Sequence, residues 1–242
     1  MKFLQQGFLP KAIDAMATQL LASSCALCGK HHSGLLCQAC RSRHLVSSRT
    51  RCRRCAIALP TAHTCCSRCA ANPPSFDASF AATDYAAPTD TLVQALKFRA
   101  HLPLAAAFAD LMMAATPHEA VASASVMLAV PLSAERIAQR GFNQAHEIAK
   151  PIARAWRLPL ATELCVRVRN TEPQSSLPLA QRRGNMRDAF TLMRRDPLVG
   201  QHVVLVDDVM TTGETLEALS ATLKRNGVAR VTNLVFARTP VR

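Results

Sequence analysis

The sequence predicts an α/β chain: a doubly wound parallel sheet preceded by a small module stapled by metal. Three observations carry this expectation. Apolar runs alternate with stretches of helical periodicity from residue 76 onward; nine of the ten cysteines crowd between Cys25 and Cys69; and one apolar run ends in two adjacent acids followed by threonines and a glycine.

The apolar runs at 126–131, 164–168, 203–206 and 231–237 read as buried parallel strands, being short, continuous and rich in Val and Leu. Between them, apolar residues recur at helical spacing over 89–98, 103–114, 134–155 and 215–226, and Gly227 is placed to cap the last helix. Strands alternating with helices imply ligand binding at the carboxyl ends of the strands.

The cysteines form four pairs, Cys25/Cys28, Cys37/Cys40, Cys52/Cys55 and Cys66/Cys69. Two intervening residues let one tight turn aim both sulfurs at a tetrahedral cation, so the pairs supply two four-cysteine zinc sites. Sequential sites (25/28/37/40 and 52/55/66/69) need shorter loops than an interleaved arrangement. Cys65 is a spare thiol that could exchange with Cys66, and His31, His32, His44 and His63 read as solvated loop residues because eight thiolates already fill both shells. A closed four-thiolate shell has no open position for substrate, which makes these sites structural. A segment with so few large apolar residues depends on its metal to fold. Cys165, alone in an apolar run, reads as a buried strand residue.

Residues 1–24 carry alanine and leucine at amphipathic-helix spacing, but Gln5, Gln6, Lys11, Asp14 and Gln19 interrupt every apolar run. That excludes a secretory leader, and no run approaches the ~20 apolar residues of a membrane span. The expected organisation is therefore an N-terminal helix (1–24), a double zinc module (25–72) and an α/β domain (76–242) in a cytoplasmic protein, where thiols stay reduced. No acid occurs between Asp14 and Asp77, whereas Lys30, Arg41, Arg43, Arg49, Arg51, Arg53, Arg54 and Arg68 do. Each site of four thiolates and one zinc carries a charge of −2, lowering the formal +13 to about +9. The remaining positive charge could meet nucleic-acid phosphates, through Arg49, Arg51, Arg53 and Arg54, or only balance the thiolates. The segment has no aromatic stacking platform between Phe8 and Phe76.

The strand end at 203–215 reads Val-Val-Leu-Val-Asp-Asp-Val-Met-Thr-Thr-Gly-Glu-Thr. An apolar strand delivers Asp207 and Asp208 to its tip, and a turn of Thr211, Thr212 and Gly213 then opens a helix at Glu214 and Thr215. Backbone N–H groups in such a turn, with a helix N-terminus behind them, suit a phosphate dianion. The paired carboxylates would repel that phosphate, so they must face ribose hydroxyls or a Mg²⁺ bound beside them. A P-loop and a dinucleotide fingerprint are both excluded by the glycine and lysine pattern.

This strand end resembles the motif by which type I phosphoribosyltransferases bind 5-phosphoribosyl-1-pyrophosphate (PRPP). Three further segments accompany it: Arg140-Gly141-Phe142-Asn143-Gln144, then the run from Arg167 through Arg169 and Pro173 to Gln174, and Arg182-Arg183-Gly184-Asn185 with Phe190. Together with the four cysteine pairs, they make the chain similar to the ComF family of competence proteins from about Cys25 to Arg238. The resemblance implies a double zinc ribbon fused to a type I phosphoribosyltransferase fold with a hood, and Mg²⁺ acting with PRPP. It implies that Asp207 and Asp208 contact the ribose hydroxyls and that Thr211, Thr212, Gly213, Glu214 and Thr215 wrap the 5′-phosphate. Arg169, Gln174, Arg182 and Arg183 fall where the family fold carries a loop over the active site, with Arg182 and Arg183 as catalytic candidates. Arg136 and Arg140 could bind pyrophosphate, and Arg140 could equally pair on the surface. Lys97 lies in the hood region and reads as a surface lysine, with reach to the ligand as the alternative. The family further implies a role in importing single-stranded DNA during natural transformation, beside uptake proteins such as a helicase or translocase. Three roles stay open: transfer of phosphoribosyl to an acceptor, a PRPP-sensing regulator without catalysis, and a nucleic-acid-binding adaptor.

Overall fold

A computed structural model of the chain describes residues 23–46, 49–60, 63–168, 189–193 and 198–240. The expected helix over 1–24 and the loop residues Arg169, Gln174, Arg182 and Arg183 lie outside those residues, apart from a two-residue strand at Ser23–Ser24.

The cysteine-rich segment has little regular structure. Strand β1 (Ser23–Ser24) pairs antiparallel with β2 (His31–His32), and two short helices, α1 (Gln38–Cys40) and α2 (Ser67–Ala71), each begin beside a C-x-x-C pair. The α/β domain follows with β3 (Ala78–Asp84), α3 (Thr89–Arg99), α4 (Pro103–Ala114), β4 (Val126–Ala129), α5 (Ala134–Arg140) and α6 (Gln144–Trp156). After these come β5 (Cys165–Arg167), β6 (Phe190–Leu192), β7 (His202–Met210), α7 (Glu214–Arg225) and β8 (Arg230–Arg238).

Four strands make one parallel sheet in the order β3-β8-β7-β4. Both faces are covered, as the unbroken apolar runs require. Val204 and Val206 pack with Ala145, Ile148 and Ile152 of α6, while Val203 and Leu205 pack with Leu216, Leu219 and Leu223 of α7. The Phe108 ring of α4 stacks on Phe236 of β8 with centroids 3.6 Å apart. Helices on both faces of a parallel sheet are the doubly wound arrangement that the alternating pattern predicts.

Three details differ from the sequence reading. The run at 164–168 is a strand, but β5 pairs antiparallel with β6 in a separate ribbon rather than joining the parallel sheet. Cys165 is buried in that ribbon as expected. The edge strand β3 is additional, since Ala-Ser-Phe-Ala-Ala-Thr-Asp lacks the Val/Ile run that marks a parallel strand. The helical stretch over 134–155 is two helices, because Gly141 adopts a left-handed φ of 79° and Asn143 starts α6 afresh.

The cysteine module is built into this domain. Cys25, Cys40 and Leu45 belong to the apolar cluster under α4 and α6, and Cys52, Cys55 and Ala56 belong to the one under α7. Thr83 and Thr89 both donate to the His44 carbonyl, at 3.1 and 3.3 Å. Arg51 Nη2 donates to Asp84 at 2.8 Å.

Candidate functional site

Strand β7 outruns its neighbour β4, whose last ladder bond runs from the Val130 N–H to the Val206 carbonyl. Beyond that point β7 continues without β4 pairing, and this extension carries Asp207 and Asp208. Asp208 is buried, with 2% of its surface exposed. Its Oδ1 accepts from Gln144 Nε2 at 3.1 Å, and Lys97 Nζ lies 2.6 Å from its Oδ2. The lysine approaches off the hydrogen-bond direction, so Oδ2 is ion-paired yet without a hydrogen bond. Asp207 accepts the Asp208 N–H at 2.9 Å. Desolvation by burial, and then the neighbouring Asp208 charge, raise the Asp207 carboxyl well above the usual range, with Lys97 opposing.

The Arg140–Gln144 motif has a local explanation. Arg140 ends α5 and Gly141 turns the chain. Phe142 packs against the apolar core under α6, and Asn143 caps α6 by accepting from the Ala145 and His146 N–H groups. Asn143 Nδ2 also donates to the Val130 carbonyl at 3.0 Å, which ties the cap to the end of β4. Gln144 is thereby held as the first residue of α6, buried and aimed at Asp208. Arg140 donates to the Gln144 side-chain oxygen and lies over the Phe98 ring at 5.6 Å. Burial lowers the Arg140 guanidinium, opposed by the pull of Asp208. Arg167 feels Arg136 and Asp207 in the same way, after burial, so basic groups from α5 and β5 ring the acidic pair.

At the tip of β7 the chain turns through Thr211, Thr212 and Gly213 into α7. Gly213 has φ of 88°, where a side chain is strained, and a Cβ there would meet the Met210 Cε at 2.7 Å. Among the described residues, the N–H groups of Thr211, Thr212 and Gly213 meet no protein acceptor. They stand before the first turn of a 12-residue helix that carries the partial positive charge of its dipole.

The structure thus brings Asp207, Asp208, Arg140 and the residues from Thr211 to Thr215 to one strand end. It adds Lys97, which is an ion-pair partner of Asp208 rather than a free surface lysine, and Gln144 and Arg167. Gln144 and Arg167 lie within recognisable sequence motifs, but nothing in the sequence says where they point. A buried carboxylate oxygen that is ion-paired with Lys97 but accepts no hydrogen bond, at the same strand end as open N–H groups, fits a ribose hydroxyl or a hydrated Mg²⁺ next to a phosphate.

The eight paired cysteines fall into two groups, Cys25/Cys28/Cys37/Cys40 and Cys52/Cys55/Cys66/Cys69, with the sulfurs of each within 4.8 Å of one another. That is the sequential partition. Sulfur separations of 3.8 Å (Cys28–Cys37) and 3.7 Å (Cys55–Cys66) match the ~3.8 Å edge of a tetrahedron with ~2.3 Å zinc–sulfur bonds. Burial alone would raise the Cys25 and Cys52 thiols. Backbone N–H donors, Cys37 and Cys28 for the first and Cys55 and Cys66 for the second, outweigh it and bring both to about 6. Burial pushes Cys40, Cys55 and Cys69 the other way, so one sulfur of each tetrad is thiolate-ready, and four sulfurs at tetrahedral spacing fit zinc. Cys65 lies 4.0 Å from Cys52 Sγ but stands outside the tetrad, with its thiol toward the Cys66 carbonyl.

The family model for the phosphoribosyl transferase domain matches residues 137–242. A "DNA utilization protein YhgH" of Escherichia coli O157:H7 is 33% identical over 208 residues, spanning 84% of this chain and 90% of that protein. "Competence protein F" of Haemophilus influenzae is 29% identical over 202 residues, spanning 81% and 87% of the two chains. "Competence protein ComFC" of Bacillus subtilis is 32% identical over 115 residues, spanning 47% and 45%.

Proposed function

The chain belongs to the ComF family, and from that premise we propose that it binds PRPP with Mg²⁺ at the tip of β7 and works in DNA utilization. The observation that carries the reading is Asp208 Oδ2, a buried carboxylate oxygen lacking a hydrogen bond, beside a loop of open N–H groups at a helix N-terminus. Asp208 accepts from a ribose hydroxyl through that oxygen while Gln144 holds its other oxygen still. The Thr211–Thr212–Gly213 amides receive the 5′-phosphate, and Thr211, Thr212 and Thr215 hydroxyls add donors. Arg140 and Arg167 feel the charge of the acidic pair and of Arg136, and in this reading the fixed charge of the three favours the separating pyrophosphate. Mg²⁺, when bound with PRPP, supplies neutralisation of the pyrophosphate charge.

The two cysteine tetrads are structural zinc sites in this reading, holding the module against both faces of the domain. No helix among the described residues is long and apolar enough to cross a membrane. The relatives' printed names, "DNA utilization protein" and "Competence protein", support a DNA-handling role. Single-stranded DNA and uptake proteins are the partners this reading proposes. Calorimetry with PRPP and Mg²⁺ tests the binding, and pyrophosphate release with candidate acceptors, with and without single-stranded DNA, tests transfer. Absence of PRPP binding by the zinc-loaded protein would overturn the reading.

A further inference from the structure

Three successive carbonyl oxygens at the turn after β7 accept hydrogen bonds from guanidinium groups. Arg238, buried at the end of β8, donates through Nη1 to the Met210 carbonyl at 2.9 Å and also to the Thr211 carbonyl. Arg68, exposed on α2 of the cysteine module, donates through Nη2 to the Thr212 carbonyl at 3.3 Å. In a planar trans peptide the C=O and the following N–H point in opposite directions. Pinning the carbonyls of Met210, Thr211 and Thr212 toward the arginines therefore turns the N–H groups of Thr211, Thr212 and Gly213 the other way. Those are the N–H groups that lack protein acceptors.

The same Arg238 side chain reaches into the second tetrad: its Nε donates to the carbonyl of Cys55 at 2.9 Å. Cys55 is one of the four clustered thiols, and Cys69, another, is the residue after Arg68. Arg68 is therefore carried on the backbone that the tetrad holds, and the Arg238 side chain, placed by β8, is tethered to it. Neither is needed to close the tetrad, whose ligands are all sulfur, and neither touches the ribose-facing carboxylates.

We propose that Arg238 and Arg68 are positioning residues that hold the phosphate-binding turn open from behind, and that they couple occupancy of the Cys52/Cys55/Cys66/Cys69 site to phosphate affinity. The proposal rests on the reading of this turn as the 5′-phosphate site. Two effects act together. The guanidinium groups fix the amide direction before the ligand arrives, which removes an ordering cost from binding. They also place two positive charges behind a site for a dianion. Coupling of this kind is reciprocal: whatever metal occupancy does for phosphate binding, phosphate does for metal retention.

The test uses the zinc-loaded full chain and four variants, Arg68→Ala, Arg68→Lys, Arg238→Lys and Arg238→Gln. PRPP with Mg²⁺ is titrated calorimetrically, and inorganic phosphate serves as the competing probe. Arg68→Ala, at an exposed position with one long bond, should weaken PRPP by about 2- to 10-fold, and Arg238→Gln by about 10- to 150-fold, with Arg68→Lys recovering part of the loss. The inhibition constant of phosphate should rise in parallel, because the effect lies at the phosphate turn and not at the carboxylates. The second measurement is site-resolved thiol alkylation under a chelator. PRPP should protect Cys55, Cys66 and Cys69 while leaving Cys25 and Cys28 unchanged. If the wild type binds no PRPP, the site reading itself fails. If the wild type binds and Arg68→Ala, which leaves the fold intact, binds PRPP and phosphate equally well, the positioning role is overturned. Protection that is absent, or equal at the two tetrads, overturns the coupling.

Discussion

Replacing Asp208 by Asn separates binding from stability in a way that only the proposed geometry predicts. The carboxylate has two distinct neighbours: Gln144 Nε2 donates to Oδ1 at 3.1 Å, and Lys97 Nζ sits 2.6 Å from Oδ2. An asparagine there has only one oxygen, and the Gln144 donor claims it. Its NH₂ group must then occupy the place of Oδ2, where it turns a donor toward Lys97 and toward the ribose hydroxyl that should itself donate. The ligand loses a charge-assisted bond, ~1.5–3 kcal/mol, so PRPP affinity in Mg²⁺ should fall by about 10- to 150-fold. Stability should move little. The neutral amide relieves the repulsion that helps raise Asp207, while Lys97, whose side chain is 22% exposed, finds water instead of its partner. Those opposing terms leave a net change within about 1 kcal/mol, a shift of no more than ~4 °C in Tm for a chain of this size. Calorimetry and thermal unfolding on the same preparation read the two quantities. Equal PRPP affinities for wild type and Asp208→Asn would refute the placement of the ligand, and a large loss of Tm would refute the role given to Gln144 and Lys97.

Three other outcomes follow from the same geometry. Metal analysis of carefully prepared protein should give about two zinc ions per chain, as two four-thiolate shells require, and Cys69→Ser should lower the content; zinc-free folded protein would contradict this. His202 is buried between Ser123 Oγ and Thr232 Oγ1, each at 2.9 Å, and desolvation followed by Arg230 lowers its imidazole to about 4. The unfolded chain takes up that proton first, so stability in urea should be full above about pH 6.5 and decline toward pH 4 by up to ~3 kcal/mol, and a His202→Gln protein showing the same decline would assign it elsewhere. Single-stranded DNA binding should rest on Arg53 and Arg54 rather than on all four neighbouring arginines, since Arg49 and Arg51 are engaged by Asp84. Replacing Arg53 and Arg54 with alanine should lower the log–log salt slope by about 1.4, from ~0.7 per contact, and an unchanged slope would place DNA elsewhere.

How far the sequence can be read depends on how local each interaction is. A C-x-x-C pair is a single turn, so the two tetrads are legible from spacing, and the partition follows from loop length. The acidic pair and the threonine–glycine turn are legible for the same reason, lying within thirteen consecutive residues. Gln144 reaches Asp208 across 64 residues, and no periodicity or composition encodes that contact. The ion pair of Lys97 depends on how α3 lies over the end of β7, which tertiary packing alone decides. Strand β3 escapes a sequence reading because Ala78–Asp84 is more than half alanine and serine, and its pairing with β8 rather than its own propensity makes it a strand. The direction of β5 is equally hidden, since an antiparallel ribbon and a parallel strand can carry the same apolar run.

The bond from Arg238 to Cys55 also has a consequence in time. It spans 183 residues, whereas the bonds that anchor the first tetrad's segment, from Thr83 and Thr89 to the His44 carbonyl, span 39 and 45. At ~5–20 residues per second of synthesis, the anchors of the first tetrad leave the ribosome about 2–9 s after His44, but Arg238 follows Cys55 by about 10–40 s. The segment of the second tetrad gains early anchors too, from the Ser79 N–H to the Arg53 carbonyl and from Arg51 to Asp84. The Cys55 carbonyl alone among these contacts waits until β8 emerges, when one side chain closes on both the cysteine loop and the turn after β7.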